Sequence, residues 1–182
     1  MHSFFQTRHY HLRAFSHSDL KAFADYRAIP SVAKFQSWTD YRYSQAVKLL
    51  AGMDYASFGT PGNWYQLAIG DRDHSTVLYG DLALHFIDDH QVELGFTVAP
   101  QFQAQGVAHE ILRAALDYLF NGLNKHRVIA ITDSRNLPAT KLLEKTGFRR
   151  EAHFRQNILF KGQWRDEYLY ALLKQEFIQE VV

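Results

Sequence analysis

One stretch near the middle of the chain passes from strand alternation to helix spacing: Val98-Ala99-Pro100-Gln101-Phe102-Gln103-Ala104-Gln105-Gly106-Val107-Ala108. The first turn of a helix presents unpaired N–H groups and the positive end of the helix dipole. Small residues at that point allow a phosphate to approach the backbone closely. The stretch is therefore a candidate pyrophosphate site. The alternative is a loop that only starts a helix, with Gly106 selected for its backbone angles.

Strand patterns and helix patterns on both sides of this stretch indicate the fold class. Apolar alternation and β-rich runs predict strands at 10–15, 64–69, 77–86, 92–98, 127–132, 152–160 and 164–172. Helical spacing predicts helices from Ser16 to before Ile29, from near Thr39 or Asp40, over 106–120, and between Asn136 and Gly147. The elements do not follow strict βαβ alternation, and short polar turns join the strands of 64–98 as an antiparallel meander. The class predicted is α+β, or mixed α/β, with a mostly antiparallel sheet.

Composition narrows the function classes. The 182 residues fit a single domain over 1–182, and 47% hydrophobic against 21% charged residues excludes intrinsic disorder. A net charge of +1 gives no drive toward nucleic acid or anionic membranes. The lack of cysteine excludes disulfides, thiolate metal sites and a cysteine nucleophile. No apolar run is long enough for a membrane span, and no secretory signal pattern opens the chain. A cytoplasmic protein is expected.

The central stretch carries a resemblance to a known family. Gln103-Ala104-Gln105-Gly106-Val107-Ala108 fits the Q-x-x-G-x-A form of the acetyl-CoA-binding motif of the GNAT N-acetyltransferase superfamily. Further segments resemble its ribosomal-protein N-terminal acetyltransferase branch, the Rim type. They are Leu12-Arg13, Asp19-Leu20, Gly80-Asp81, Glu93-Leu94-Gly95-Phe96, Asn136, Leu143 to Glu151, and Phe160 to Tyr170.

The resemblance implies a cofactor site. In this fold two central strands splay apart, the sheet is flanked by helices, and the pantetheine arm of acetyl-CoA inserts between the splayed strands. Gly95 would suit a bulge or a close backbone approach there. The residues expected to bind acetyl-CoA are Phe96, Thr97, Val98, Gln103, Ala104, Gln105, Gly106, Val107, Ala108, Asn136 and Lys141. Asn136 has a helix-capping role as its alternative.

The reaction implied is aminolysis of a thioester, which needs a base, an oxyanion donor and a proton for the sulfur. Glu93 is the first candidate base, because it points to the opposite strand face from Val92 and Leu94; a cross-strand ion pair is its alternative. Asp81 is a weaker candidate base. Tyr168 is the candidate acid, with Tyr170 of the same strand as a further possible donor; a core tyrosine is the alternative for each, and water is another possible proton source for the thiolate. The hydroxyls that family members often carry at the positions of Ala139 and Leu143 are missing here.

Acceptor selection is expected from the first helices and the C-terminal hairpin. Phe35, Trp38, Asp81 and Glu167 are the candidate acceptor-binding residues, with core packing or solvent exposure as the alternatives. The acceptor predicted is a protein N-terminus, possibly of a ribosomal protein; a small amine and a non-catalytic acyl-CoA-binding module remain open. No metal site is expected, because His9 and His11 lack further ligands. The assembly expected is a monomer or a homodimer.

Overall fold

A computed structural model describes residues 3–72 and 77–179, and one twisted sheet of eight strands organises them. The strands lie in the order β1-β2-β3-β4-β5-β6-β8-β7, and every neighbouring pair is antiparallel except β5 and β6. The strands are β1 (Ser3–Gln6), β2 (Tyr10–Ala14), β3 (Trp64–Asp71), β4 (Leu78–Phe86), β5 (Gln91–Val98), β6 (Arg127–Asp133), β7 (Arg149–Phe160) and β8 (Gln163–Leu173).

Six α-helices within the described residues cover the two faces of this sheet. They are α1 (Leu20–Ala28), α2 (Pro30–Ala33), α3 (Tyr43–Ala51), α4 (Val107–Asp117), α5 (Leu137–Lys145) and α6 (Lys174–Gln179). The main core packs α4, α5 and α6 on one face, with Ile111, Leu143 and Phe177 among its buried residues. A smaller core packs α1 and α3 on the other face around Phe23 and Ala46. None of these helices has the length and apolar character of a membrane span.

The central strands β5 and β6 are paired only at their beginnings. The parallel ladder joins Gln91, Val92 and Glu93 to β6, and no pair follows it. From Leu94 onward β5 keeps its antiparallel pairing with β4 alone. The sheet therefore has a gap between β5 and β6, which is the splay that the family resemblance implies.

Most predicted elements are present, and the differences have local causes. The sequence prediction missed β1, since Ser3-Phe4-Phe5-Gln6 does not alternate, and it missed α2 and α6, which are short. The second predicted helix begins at Tyr43 rather than near Thr39. The helix predicted over 106–120 ends as an α-helix at Asp117 and continues as one π turn (Tyr118–Gly122). The predicted turn that includes Asp73 lies partly outside the described residues.

Two glycines at the central strands differ in what surrounds them. The β4–β5 register is continuous through Gly95, where an added Cβ would meet only the Cβ of Ala83, at 4.0 Å. The bulge that the sequence suggested at Gly95 is therefore wrong. Gly80 of β4 is the tight position, because a Cβ there would lie 2.1 Å from the carbonyl oxygen of Thr97. Glycine at this position allows β4 and β5 to stay paired at the gap.

Candidate active site

A cavity of about 990 Å³ passes through the gap between β5 and β6. One end lies against the loop before α4 and the first turn of α5, and the other lies against α1, α2 and the β7–β8 hairpin. We call these the loop end and the acceptor end. Residues at the loop end include Phe96, Thr97, Val98, Gln103, Ala104, Gly106, Val107, Ala108, Asn136, Ala139 and Leu143. Residues at the acceptor end include Arg27, Ser31, Phe35, Trp38, Trp64, Gln66, Asp81, Phe160, Arg165 and Glu167.

The loop before α4 exposes a row of backbone N–H groups. Gly106 caps the helix with φ +85°, a left-handed conformation, and nothing lies within 4 Å of where its Cβ would be. Ala104 is also left-handed, with φ 59°. Among the described residues no acceptor pairs with the amides of Ala104, Gln105 and Gly106. Left-handed turns of this kind create concave amide sites for anions. The conformational explanation for Gly106 is confirmed by its φ, and the phosphate explanation stays a prediction.

Side chains of the same loop fix its position. Nε2 of Gln103 donates to the carbonyl oxygen of Val98 at 2.9 Å, which ties the loop to the end of β5. Nε2 of Gln105 donates to the carbonyl oxygen of Gln101 at 2.8 Å, so the Gln105 side chain turns back on the loop and does not line the cavity. The loop is therefore held by its own glutamines, while the amides of Ala104, Gln105 and Gly106 stay unpaired within the described residues.

Of the remaining residues predicted to bind the cofactor, some line the cavity and one does not. Phe96, Thr97 and Val98 line the cavity on the unpaired edge of β5. Asn136 lines it too, while its Oδ1 caps α5 by accepting from the amide of Ala139 at 3.5 Å. Lys141 is exposed on α5 and is not among the lining residues. A direct contact between Lys141 and a ligand in the cavity thus has no support from this geometry.

Asp81 lies at the centre of a buried hydrogen-bond network at the acceptor end. Its carboxylate accepts from the hydroxyl of Tyr26, from Nη2 of Arg27 at 2.9 Å, and from the amide of Gln66. Burial, together with the adjacent carboxylate, raises the pKa of the Tyr26 phenol well above its usual value. Although burial opposes its charge, Asp81 raises the pKa of the Arg27 guanidinium. These three donors, from α1 and β3, hold the Asp81 carboxylate in one position at the cavity wall.

Aromatic rings enclose the guanidinium of Arg27. Its Cζ lies 4.1 Å from the ring centre of Phe23 and 4.2 Å from that of Trp38. The indole of Trp38 donates to the carbonyl oxygen of Arg27 at 2.9 Å. The sequence analysis missed Arg27 and Gln66, because their contacts with Asp81 join α1 and β3 to β4 and form only in the tertiary structure. The one available signal was the alternation of β3, which assigns the side chain of Gln66 to one face of the sheet.

The acceptor end is lined by aromatic rings, and a hydrogen bond joins α2 to the β7–β8 turn beside it. Phe35, Trp38, Trp64 and Phe160 line it. Nζ of Lys161, in the β7–β8 turn, donates to the carbonyl oxygen of Ala33 in α2 at 2.6 Å. The two elements predicted to select the acceptor are therefore joined beside the cavity.

The carboxylates at the cavity wall are all partnered. Asp81 pairs with Arg27, and Oδ2 of Asp133 lies 2.6 Å from Nη2 of Arg135. Although burial raises the pKa of Asp133, hydrogen bonds from Arg135 outweigh it and lower that pKa. Glu167 accepts from the side-chain amide of Asn157 at 2.6 Å.

Glu93, the first candidate base, and Tyr168, a candidate acid, lie outside the cavity lining, whereas Asp81, the weaker candidate base, lies in it. Oε2 of Glu93 is 3.6 Å from Nδ1 of His85 across β4 and β5, which matches the cross-strand alternative. Glu93 also forms the last β5–β6 pair before the gap, with Ile129. Tyr168 of β8 packs its ring on His153 and under the guanidinium of Arg150. Both catalytic roles stay predictions.

The chain has no cysteine, so the side chains available as metal ligands are those of His, Asp and Glu. Across residues 3–72 and 77–179 no three such side chains come together as ligands. Nδ1 of His9 instead lies 2.8 Å from Oε2 of Glu110.

Comparisons with known proteins concern the fold and the family of the chain. A family model described as an acetyltransferase (GNAT) domain matches residues 9–149. A solved acetyltransferase of the GNAT family from Bacillus anthracis is 26% identical with a TM-score of 0.83, covering 94% of this chain and 98% of that one.

Curated relatives carry several different names. The uncharacterized N-acetyltransferase YnaD of Bacillus subtilis is 34% identical over 58% of this chain and 62% of that protein. The [ribosomal protein uS5]-alanine N-acetyltransferase of Escherichia coli is 32% identical over 57% of this chain and 50% of that protein. The spermidine N(1)-acetyltransferase of Vibrio cholerae is 29% identical over 47% of this chain and 50% of that protein. The matched region thus spans between half and two thirds of these relatives.

Proposed function

The chain belongs to the acetyltransferase (GNAT) domain family of acetyl-CoA-dependent enzymes, and we propose that its acceptor is the N-terminal α-amine of a ribosomal or other cytosolic protein. Acetyl-CoA supplies the acetyl group as an activated thioester. In the transfer, the amine nitrogen forms a bond to the acetyl carbon and the carbon–sulfur bond breaks. The amine loses one proton, and the leaving thiolate gains one.

The cofactor assignment is supported by the fit of the loop end. The free amides of Ala104, Gln105 and Gly106, with the N-terminus of α4 behind them, form a concave surface that suits a pyrophosphate. The open space at Gly106 leaves the backbone accessible. The unpaired edge of β5 from Phe96 to Val98 provides main-chain groups for the amides of a pantetheine arm.

Our choice of an N-terminal amine rests on the charges at the acceptor end, where every carboxylate already has a partner. Asp81, Asp133 and Glu167 are carboxylates, but Arg27 and Arg135 pair with the first two and Glu167 already accepts from an amide. Arg165 adds a further cation to the same wall. A polyamine carries several positive charges and needs unpaired carboxylates, whereas an N-terminal amine is followed by an uncharged peptide backbone.

The chemistry of an α-amine also suits a site with a modest base. Its reference pKa is near 7.7–8.0, so about a tenth is neutral at pH 7, against a much smaller fraction for lysine. In our proposal Glu93 takes the proton through water, since it lies on the same strand face as Gly95, about 7 Å along β5. Asp81, with three donors, holds Arg27 and Tyr26 in place instead of acting as the base.

Intact-mass measurement of ribosomal proteins from cells with and without this protein tests the acceptor. We expect one ribosomal protein to lose exactly one acetyl group in its absence and to regain it with the parent chain. As a matched control, the Gly106→Ala variant is expressed in the same cells instead of the parent chain, and it should restore less of the acetylation. Unchanged masses across all ribosomal proteins would contradict the ribosomal acceptor.

A small amine is the second candidate, favoured by two observations. Phe35, Trp38, Trp64 and Phe160 give the acceptor end an aromatic lining, and the contact between Lys161 and Ala33 ties its walls together. Thiol release from acetyl-CoA, measured with spermidine and with a short peptide that has a free N-terminus, separates the candidates. Release with the peptide supports our proposal, release with spermidine alone supports the small amine, and no release with any amine supports a binding module.

A further inference from the structure

A second cavity, of about 580 Å³, lies at the far end of the sheet from the acetyl-CoA loop. It adjoins Gln91, the first residue of β5, whereas the loop follows Val98, the last. Seven strand steps separate these residues, or about 23 Å. The residues lining this second cavity are Asp88, His90, Gln91, Asn124, Lys125, His126 and Lys174.

Backbone hydrogen bonds fix the three segments that form the second cavity. The amide of His126 donates to the carbonyl oxygen of His90 at 2.8 Å, and the amide of Lys174 donates to that of His126 at 2.9 Å. Oδ1 of Asp88 accepts from the amides of His90 and Gln91 at 2.7 and 2.8 Å. The β4–β5 turn, the segment before β6 and the start of α6 therefore form one rigid wall.

Lys125 gives this wall a buried cation without a counter-ion. The residue is only 7% exposed. Its Nζ donates to the carbonyl oxygen of Asp89 at 3.0 Å and lies 5.1 Å from the ring centre of Phe86. No carboxylate in the described part of the chain pairs with it. An ammonium has three N–H donors, and burying a charge without a counter-ion is unfavourable, so this group has both the capacity and the energetic reason to bind an anion.

The other side chains of the cavity add to this excess of positive groups. Nζ of Lys174 donates to Oδ1 of Asn124 at 2.7 Å, a neutral partner. His90 and His126 can each donate a ring N–H. The one carboxylate of the lining, Asp88, is already occupied by backbone amides and by Nε2 of Gln91 at 3.1 Å.

We propose that this second cavity binds the phosphate group of a small phosphate-bearing molecule. Lysine is a common phosphate ligand because it presents a compact point charge. A phosphate offers several acceptor oxygens to donors that converge from three segments. The cavity is open to solvent, so the rest of such a molecule can extend out of it.

Phosphate titration of the full chain tests this proposal, in the presence of one equivalent of coenzyme A, which fills the loop end without an excess that would compete at the second cavity. Inorganic phosphate and AMP are the two probes, and the ring resonances of His90 and His126 are followed by NMR. We expect both resonances to shift at millimolar probe, and AMP to bind more tightly than inorganic phosphate. No shift with either probe would overturn the proposal, and a shift with inorganic phosphate alone would overturn the small-molecule part.

Three variants make this titration specific. Lys174→Gln should weaken AMP binding about fivefold or more, while Lys48→Gln, an exposed lysine on α3, should leave it unchanged. Lys125→Met should abolish the rise in melting temperature that AMP gives the parent chain. Equal AMP affinities for Lys174→Gln and Lys48→Gln would show non-specific binding and overturn the proposal.

Discussion

Nη2 of Arg27 lies 2.9 Å from Oδ2 of Asp81, and this buried ion pair joins α1 to β4 at the wall of the active-site cavity. The two residues are 54 positions apart in the chain. Phe23 and Trp38 stack on the guanidinium from the helical side. The same pair therefore contributes to the smaller core and to the shape of the acceptor end.

Asp81→Asn should lower the free energy of unfolding by about 3–5 kcal/mol, because it leaves the Arg27 charge buried without its partner. Urea unfolding measures the loss. Asp25→Asn is the matched control, since it breaks the exposed pair with Lys21 and should cost about 0.5 kcal/mol or less. Similar losses in the two variants would contradict a buried role for Asp81.

Gly106→Ala should weaken acetyl-CoA binding, because a methyl group would enter the open space beside the loop amides. The left-handed backbone adds a stability cost of about 1 kcal/mol. Gly62 is the matched control, with φ +83° and nothing within 4 Å of its missing Cβ, but outside the cavity. Gly62→Ala should pay a similar stability cost and keep full affinity by calorimetry. Equal affinities in both variants would place the pyrophosphate elsewhere.

Gly80→Ala should destabilise the sheet by about 1–3 kcal/mol, since its Cβ would meet the carbonyl oxygen of Thr97 and push β5 aside. Acetyl-CoA affinity should fall with it, because Thr97 lies on the unpaired edge of β5. Gly95→Ala, on the neighbouring strand, meets only an ordinary contact and should change stability by about 0.5 kcal/mol or less. Thermal unfolding compares the stabilities of Gly80→Ala and Gly95→Ala. Equal stabilities would show that β5 can move away from Gly80 at Thr97 without cost.

Glu93→Gln should lower turnover with little change in acetyl-CoA affinity, because the amide cannot accept the proton of the attacking amine. Steady-state kinetics measures turnover, and calorimetry measures the affinity. Glu151→Gln is the control, because that glutamate lies outside the cavity and pairs with Arg127. If the turnover of Glu93→Gln matches that of the parent chain, Glu93 serves only the ion pair with His85.

Acid should unfold the chain partly through Asp19. Burial alone would raise the pKa of Asp19, but hydrogen bonds from Arg13, at 2.6 and 2.7 Å, and from Ser16 lower it overall. A carboxyl whose folded pKa is lowered stabilises the fold above its unfolded pKa, and this contribution disappears as pH falls through the folded value. Denaturant titrations at several pH values should give Asp19→Asn a lower but flatter stability curve. A curve parallel to that of the parent would exclude Asp19 as a source of the slope.

Local features of the active site could be predicted from the sequence because neighbouring residues determine them. The helix start at Gly106, the cap at Asn136 and the turn at Lys161-Gly162 each depend on backbone angles and hydrogen bonds within a few residues. Strand alternation likewise placed Glu93 on the face opposite Val92.

Only the tertiary structure decided which residues meet at the acceptor end of the cavity. The contacts of Arg27 with Asp81 and of Lys161 with Ala33 span 54 and 128 positions. Alternation assigns a side chain to a face but does not identify its partner on another element, so it placed Glu93 opposite Val92 without indicating that its neighbour is His85. Long-range packing energies select those partners, and they arise only once the whole sheet is assembled.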